Sequence, residues 1–148
     1  MQGMQKRGYL GDYVFLLRPT LLIPVWTLLL LGHYRALGGP RVHLSVNPKF
    51  LLAFLLYTML MGGVYVLNQI VDRETDRANK KLFLVSEGYV PVKYAYAEMA
   101  GLFVTAFILA LWFSLAFHLF FLLSLGLGIA YSAPPLKLKG RPFWDLFS

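Results

Sequence analysis

Three polar residues recur at every fourth position near the end of a long apolar stretch: Asn68, Asp72 and Asp76. At about 100° per residue they drift only about 80° around a helix, so they share one face. Two carboxylates one turn apart repel each other, and a divalent cation between them reverses that effect. Because Mg²⁺ typically binds one or two carboxylates together with substrate phosphates, the spacing favours a magnesium site on this helix face.

Four cations lie within the same stretch: Arg73, Arg77, Lys80 and Lys81. Guanidinium and ammonium groups offer charge and hydrogen-bond donors to a phosphate, which favours a phosphate-binding surface beside the carboxylates. The alternative is a solvated helix end, in which Asp72 and Asp76 pair with neighbouring cations and each pair contributes about 0–1 kcal/mol. The spacing alone is compatible with both interpretations.

A second polar cluster runs from Tyr131 to Pro142. Pro134 and Pro135 end the apolar stretch before it, because proline interrupts helical hydrogen bonding. Three cations follow: Lys137, Lys139 and Arg141. The simplest interpretation is a positively charged membrane flank with Tyr131 as an interfacial aromatic anchor. The alternative is a functional segment that meets the carboxylates at the same surface.

The composition is that of a membrane protein. Of the 148 residues, 58% are hydrophobic and only 14% are charged, whereas soluble domains usually contain about 25% charged residues. The chain has no cysteine, which excludes disulfides and thiolate metal sites. The formal charge is +7. In a membrane protein such an excess of Lys and Arg indicates cytoplasmic loops that contact lipid headgroups, not a nucleic-acid partner.

Four segments are long and apolar enough to span a bilayer, which takes about 20 residues of helix. They run near Leu16 to Gly32, Phe50 to Val71, Tyr94 to Phe113, and Leu115 to Ala133. Their continuous apolar character excludes a β-barrel, whose strands alternate. The sequence therefore predicts an all-α, multi-spanning transmembrane bundle of about four helices, forming one domain over residues 1–148. Only a tight turn separates the last two, so we expect an antiparallel hairpin there.

The distribution of Lys and Arg predicts the orientation. Eleven lie before or at the start of the first span, between the second and third spans, or after the fourth. Only three lie between the first and second spans: Arg35, Arg41 and Lys49. The positive-inside rule then places both termini and the second loop in the cytoplasm. Both polar clusters should accordingly face the cytoplasmic side of an integral protein of the cytoplasmic-membrane type.

Together, the two clusters resemble a known family. The pattern Asn68-x3-Asp72-x3-Asp76 is similar to the first aspartate-rich motif of the UbiA superfamily of intramembrane prenyltransferases. The segment from Tyr131 to Lys139 resembles the tyrosine- and lysine-bearing segment after that family's fourth helix. Arg18-Pro19, at the start of the first helix, also matches the family pattern.

The resemblance implies a Mg²⁺-dependent transferase that moves a prenyl group (an alkyl group other than methyl) from a prenyl diphosphate to a lipophilic acceptor within the lipid bilayer. The metal ligands that it implies are Asn68, Asp72 and Asp76. The catalytic groups that it implies are Asp72, Asp76, Tyr131 and Lys137. The substrate-binding residues that it implies are Arg18, Arg73, Arg77, Lys80, Lys81 and Lys139. The aromatic rings of Tyr65 and Tyr131 could face the allylic cation that forms when the diphosphate leaves. The alternative is that both rings only pack within the helix bundle.

The chain departs from the family pattern in two respects. The family often has Asp directly after the Asn, whereas this chain has Gln69, which can accept from a ligand or water but adds no charge. Family members also have about twice as many helices, with a second aspartate-rich motif in the other half. The resemblance thus implies the N-terminal half of a prenyltransferase, working with a C-terminal half or another copy of itself. The alternative is a non-catalytic membrane subunit or fragment that binds diphosphate or metal without turnover.

Overall fold

The computed structural model of the chain describes residues 9–39, 46–81 and 83–138. Across these residues the regular secondary structure is helical, which confirms the predicted fold class. There are six helices: α1 (Leu10–Leu16), α2 (Pro19–Ala36), α3 (Pro48–Val71), α4 (Arg73–Ala78), α5 (Val92–Ala110) and α6 (Leu115–Ser132). Helices α3, α5 and α6 are each long and apolar enough to cross a membrane.

The first predicted span differs from the expected single helix. Helices α1 and α2 pass the length and hydropathy test as a pair, but they are bent by 51° where they meet. The bend lies at Arg18, which adopts a left-handed conformation with φ 51° and ψ 66°. A residue before proline is disfavoured in the right-handed helical region, and Pro19 is then well placed as the first residue of α2. The break lies at the start of the predicted span from Leu16 to Gly32, which therefore corresponds to α2, and α1 is an additional helix before it.

Helix α3 is the centre of the bundle, and α2, α5 and α6 all pack against it. Small residues allow the close approach, as is common between membrane helices. A Cβ atom added at Gly63 would overlap the ring of Phe103 on α5, and one added at Gly128 of α6 would lie 2.7 Å from Val64. These glycines thus allow α5 and α6 to pack closely against the middle of α3.

Two buried clusters define how the helices run. One joins the end of α3 to α1 and to the start of α5: Leu16, Val66, Ile70, Val85, Val90 and Ala95. The other joins the middle of α3 to the end of α5 and to α6: Leu56, Leu60, Ala106, Ala110 and Phe121. Helix α5 therefore runs antiparallel to α3. The pairing of Gly128 with Val64 extends the contact with Phe121 along the other side of α3, so α6 runs parallel to it.

Side-chain caps mark the starts of α3 and α6. Asn47 caps α3 by accepting a hydrogen bond of 2.7 Å from the backbone N–H of Phe50, with Pro48 as the first helical residue. Four residues separate α5 from α6, and the last of them, Ser114, caps α6 by accepting from the N–H of Phe117. Serine and asparagine are preferred at this position because they satisfy an otherwise free backbone donor. The predicted tight turn between the last two spans is confirmed.

Candidate active site

Asn68, Asp72 and Asp76 lie on one continuous helical path at the end of α3. Asp72 ends α3 and precedes α4. Its N–H donates to the carbonyl of Asn68 at 3.0 Å, and the N–H of Asp76 donates to the carbonyl of Asp72 at 2.7 Å. The three residues are therefore linked by successive hydrogen bonds between positions four apart, which is the α-helical pattern. The shared helix face follows directly from this geometry.

Both carboxylates are paired with lysines. Asp76 is only 5% exposed, and its Oδ1 lies 3.3 Å from Nζ of Lys81. Oδ1 of Asp72 lies 3.6 Å from Nζ of Lys137, in the segment after α6. The second polar cluster thus meets the first, because α3 and α6 run parallel and end at the same level. One lysine is local and the other comes from a distant part of the chain.

Arg18 adds a third cation to this region. The bend between α1 and α2 brings it within the electrostatic influence of Asp76 and Asp72. Its guanidinium carbon lies 4.2 Å from the centre of the Phe83 ring, a distance typical of a cation–π interaction. Phe83 lies two residues after Lys81, the partner of Asp76, so Arg18 contributes a third cation to the region of the two carboxylates.

A cavity of about 500 Å³ opens between α2, α3 and α6. Its lining includes Leu21, Met61, Val64, Tyr65, Asn68, Gly128, Tyr131 and Ser132. Asn68 and Tyr131, which come from the two sequence motifs, therefore line the same cavity. The hydroxyl of Tyr65 donates to the carbonyl of Leu21 at 3.0 Å. Apart from Tyr65, Asn68, Tyr131 and Ser132, the residues that line the cavity are apolar, and ligand sites usually combine apolar walls with a few polar groups.

Ser132 is a site residue that the sequence motif contained but did not single out. It is 1% exposed, and its hydroxyl is buried with no hydrogen-bond partner in the described part of the chain. A buried hydroxyl of this kind is costly unless a ligand or water satisfies it. The only sequence signal was its position beside Tyr131, at the end of an apolar helix.

The donor set fits a hard divalent cation. Two carboxylates and one amide lie one helical turn apart on one face, and Mg²⁺ commonly takes such a partial set while water and substrate phosphate supply the remaining oxygens. Among the described residues no group of three or more His, Asp or Glu side chains converges. Asn68, Asp72 and Asp76 would therefore hold a metal together with its substrate, not as a closed protein cage.

A second opening, of about 640 Å³, lies on the other side of Leu21. It is lined by Phe15, Arg18, Pro19, Thr20, Leu21, Gln69, Phe83 and Leu84. Gln69 is 3% exposed, and its Nε2 donates to the carbonyl of Leu16 at 2.8 Å. The amide that follows Asn68 is thus bonded to the end of α1.

Arg73 and Arg77 face a different cavity from Asn68. They line a pocket of about 270 Å³ together with Glu74 and the turn at Val85, Ser86, Glu87 and Gly88. Nη2 of Arg73 lies 3.3 Å from Oε1 of Glu74. The reason is helical geometry, since each arginine follows a site aspartate and points about 100° further around the helix.

The two remaining predicted substrate-binding residues are Lys80 and Lys139. Lys80 is exposed in the turn after α4. Lys139, and Arg141 after it, lie outside the described residues.

A family model described as the UbiA prenyltransferase family matches residues 21–148. Comparisons with curated proteins and with solved structures found no match. The matched range contains the Asn68–Asp76 face and the segment from Tyr131 to Lys137, which the structure brings together. Helix α1 and Arg18 lie before it. Because the match covers most of its length, the chain belongs to the UbiA prenyltransferase family.

Proposed function

We propose that this chain is a Mg²⁺-dependent intramembrane prenyltransferase, or the N-terminal half of one, which transfers a prenyl group from a prenyl diphosphate to a lipophilic acceptor. The observation that carries the proposal is the 3.6 Å approach of Lys137 to Asp72. It joins Asp72, on the helix face shared with Asn68 and Asp76, to the segment after α6 that resembles the lysine-bearing segment of the family.

The charges around the carboxylates suit a diphosphate. Asn68, Asp72 and Asp76 would hold Mg²⁺, which would supply Lewis-acid stabilisation of the negative charge on the departing diphosphate. Lys81 and Lys137 already lie at the carboxylates, and ammonium groups form strong charge-assisted hydrogen bonds to phosphate oxygens. Arg18 approaches the same region from the bend between α1 and α2. These three cations are better placed than Arg73 and Arg77 to bind the diphosphate.

The transfer itself needs little covalent participation by the protein. The carbon–oxygen bond of the prenyl diphosphate breaks, diphosphate leaves with the bonding electrons, the prenyl carbon bonds to the acceptor, and the acceptor loses a proton. The cationic prenyl carbon must be kept from water, and the cavity between α2, α3 and α6 would supply part of the wall that excludes it. The aromatic faces of Tyr65 and Tyr131, which line that cavity, would stabilise positive charge.

The charge distribution supports a cytoplasmic site. Eleven of the 14 Lys and Arg residues lie before or at the start of α2, from the end of α3 to the first turn of α5, or after α6, which is the distribution expected if these segments are cytoplasmic. Asp72, Lys81 and Lys137 would then face the cytoplasm. The lipophilic acceptor would enter from the bilayer.

Binding of diphosphate to the full chain in lipid nanodiscs tests the proposal. We expect a prenyl diphosphate to bind in the presence of Mg²⁺, and we expect Asp72→Asn and Asp76→Asn each to weaken that binding at least about tenfold, because each removes a metal charge partner. Glu74→Gln is the matched control, since Glu74 lies on the same helix with its side chain 87% exposed. Binding that survives the double aspartate substitution would contradict the proposal and favour a charged helix end without a metal site.

A further inference from the structure

The bend between α1 and α2 is a strained feature that the structure must hold in place. Arg18 has φ 51°, a left-handed conformation that non-glycine residues rarely adopt. Such a conformation persists only where the surroundings determine it. Pro19 contributes by disfavouring the right-handed region at Arg18, but proline leaves the extended region open to the preceding residue. A further constraint is therefore required to select this conformation.

The end of α1 also leaves a backbone group to satisfy. Helices end with free carbonyls, and a buried one needs a donor. Leu16, the last residue of α1, is fully buried. Its carbonyl accepts from Nε2 of Gln69 at 2.8 Å. The donor is a side chain of the central helix, so the bond ties the end of α1 to α3.

A second side chain of α3 bonds to the other side of the bend. Tyr65 lies one helical turn before Gln69, and its hydroxyl donates to the carbonyl of Leu21 in the first turn of α2. The two accepting carbonyls, of Leu16 and Leu21, thus flank Arg18 in the chain. Two donors on one face of α3 therefore hold both ends of the bend.

We propose that Gln69, assisted by Tyr65, is a positioning residue that fixes the α1–α2 bend and thereby holds Arg18 beside the site carboxylates. Resting on the proposed function, the consequence is that Gln69 contributes to diphosphate binding without touching the ligand. The bonds on both sides of Arg18 and the burial of Gln69 and Leu16 carry the inference.

The proposal also explains why an amide stands at position 69. An ionised carboxylate there would present only acceptors to the Leu16 carbonyl, and no hydrogen bond would form. An amide supplies the N–H that this carbonyl needs. It also leaves the charge near Arg18 to Asp72 and Asp76, so the arginine is not drawn to a third acid.

Hydrogen exchange on the full chain in lipid nanodiscs tests the structural part directly. Gln69→Met keeps the volume but removes the donor. We expect it to speed amide exchange in the segment from Leu10 to Leu21 about threefold to tenfold, the effect of losing one net hydrogen bond. Tyr65→Phe should act in the same segment and the same direction. Leu60→Ala is the control, because it loosens the middle of α3 far from the bend.

A mutant cycle tests the coupling to Arg18, with Mg²⁺ and inorganic diphosphate as the probe. We expect Gln69→Met to weaken diphosphate binding about threefold to tenfold in the parent chain, and to have no further effect once Arg18→Ala is present. Additive effects, or an unchanged exchange rate at Leu10–Leu21 in Gln69→Met, would overturn the proposal. If the parent chain binds no diphosphate, the proposed function fails, while the exchange experiment still decides whether Gln69 holds the bend.

Discussion

Lys137 lies with its Nζ 3.6 Å from Oδ1 of Asp72, although α4, α5 and α6 separate the two residues along the chain. The contact forms because α6 runs parallel to α3, so the two helices end at the same level. Pro134 and Pro135 then stop α6 and turn the chain. The lysine is 41% exposed and the carboxylate 18% exposed, so a ligand that reaches this region can contact the ammonium group.

We first predict that Lys137→Met weakens binding of prenyl diphosphate by about tenfold or more, because a hydrogen bond to a charged group contributes about 1.5–3 kcal/mol. The free energy of unfolding should change little, since a partly exposed pair contributes at most about 1 kcal/mol. Titration of the purified chain in nanodiscs measures the first effect, and thermal unfolding measures the second. Lys93→Met, an exposed cation at the start of α5, is the control. Equal weakening by both substitutions would contradict a specific role for Lys137.

The helix-level features of the site could be predicted because they depend on local periodicity. The spacing of Asn68, Asp72 and Asp76 fixes a shared face wherever the segment is helical. The same periodicity places Arg73 and Arg77 on another face of the helix. The pocket that they line also depends on the position of the turn at Ser86–Gly88. That turn is set by packing of Val85 and Val90 on the end of α3, which no local pattern contains.

Features that depend on two distant segments could not be predicted. Pro19 signals a helix start, yet the left-handed conformation of Arg18 depends on donors supplied by α3. The sequence indicates that Lys137 faces the same membrane side as Asp72, but their pairing requires the parallel packing of α6 on α3. Ser132 could not be predicted either, because the burial of its hydroxyl in the cavity that Asn68 and Tyr131 also line depends on the packing of α6 on α3.

The second prediction concerns topology. We expect a single cysteine introduced at Leu37 to be labelled from outside intact cells by a membrane-impermeant thiol reagent, and one introduced at Ala78 to be labelled only after permeabilisation. The reason is the excess of Lys and Arg on the side that carries Ala78. The chain has no native cysteine, so each signal is specific. Labelling at Ala78 but not at Leu37 in intact cells would reverse the orientation.

The third prediction concerns the packing of α3 on α5. A Cβ atom at Gly63 would overlap the ring of Phe103, so Gly63→Ala must displace that ring. We expect a loss of about 1–3 kcal/mol in the free energy of unfolding, as is typical of overpacking. Thermal unfolding in detergent or lipid measures it.

Gly101→Ala provides the matched comparison on α5, since a Cβ atom there meets nothing within 4 Å. Alanine is favoured over glycine in a helix by about 0.5–1 kcal/mol, so this variant should be as stable as the parent chain or more so. A second variant, Gly63→Ala with Phe103→Leu, should recover part of the loss by relieving the overlap. If Gly63→Ala and Gly101→Ala have the same stability, the close approach of α3 and α5 is not tight.

The last prediction concerns completeness: we expect the 148-residue chain by itself not to turn over prenyl diphosphate. A diphosphate carries about three negative charges, and a two-metal site stabilises both the attacking and the leaving oxygens of such a group. The described residues offer one face of two carboxylates and an amide, sufficient for about one ion. A second acidic motif, from a C-terminal half or from another copy, would supply the rest.

Two unsatisfied polar atoms support the same expectation. Within the described part of the chain, the hydroxyl of Ser132 and Oε2 of Glu98 on α5 are buried without a hydrogen-bond partner. Polar groups within a membrane normally face a bundle interior and pair there. Among the described residues, α2, α3 and α6 line the cavity that includes Asn68, and a cationic prenyl carbon that is not fully enclosed would react with water before it met the acceptor.

The test is to purify the chain in lipid nanodiscs, fix its oligomeric state by native mass spectrometry, and assay prenyl transfer with Mg²⁺ against a panel of lipophilic acceptors. We expect binding of prenyl diphosphate without transfer, and at most slow hydrolysis. An Asp72→Asn sample is the control for contaminating activity. Rapid transfer by a monomeric chain would contradict the half-enzyme proposal outright. Rapid transfer confined to an oligomer would instead show that a second copy supplies the missing acidic site, because the described residues of each copy offer one such face.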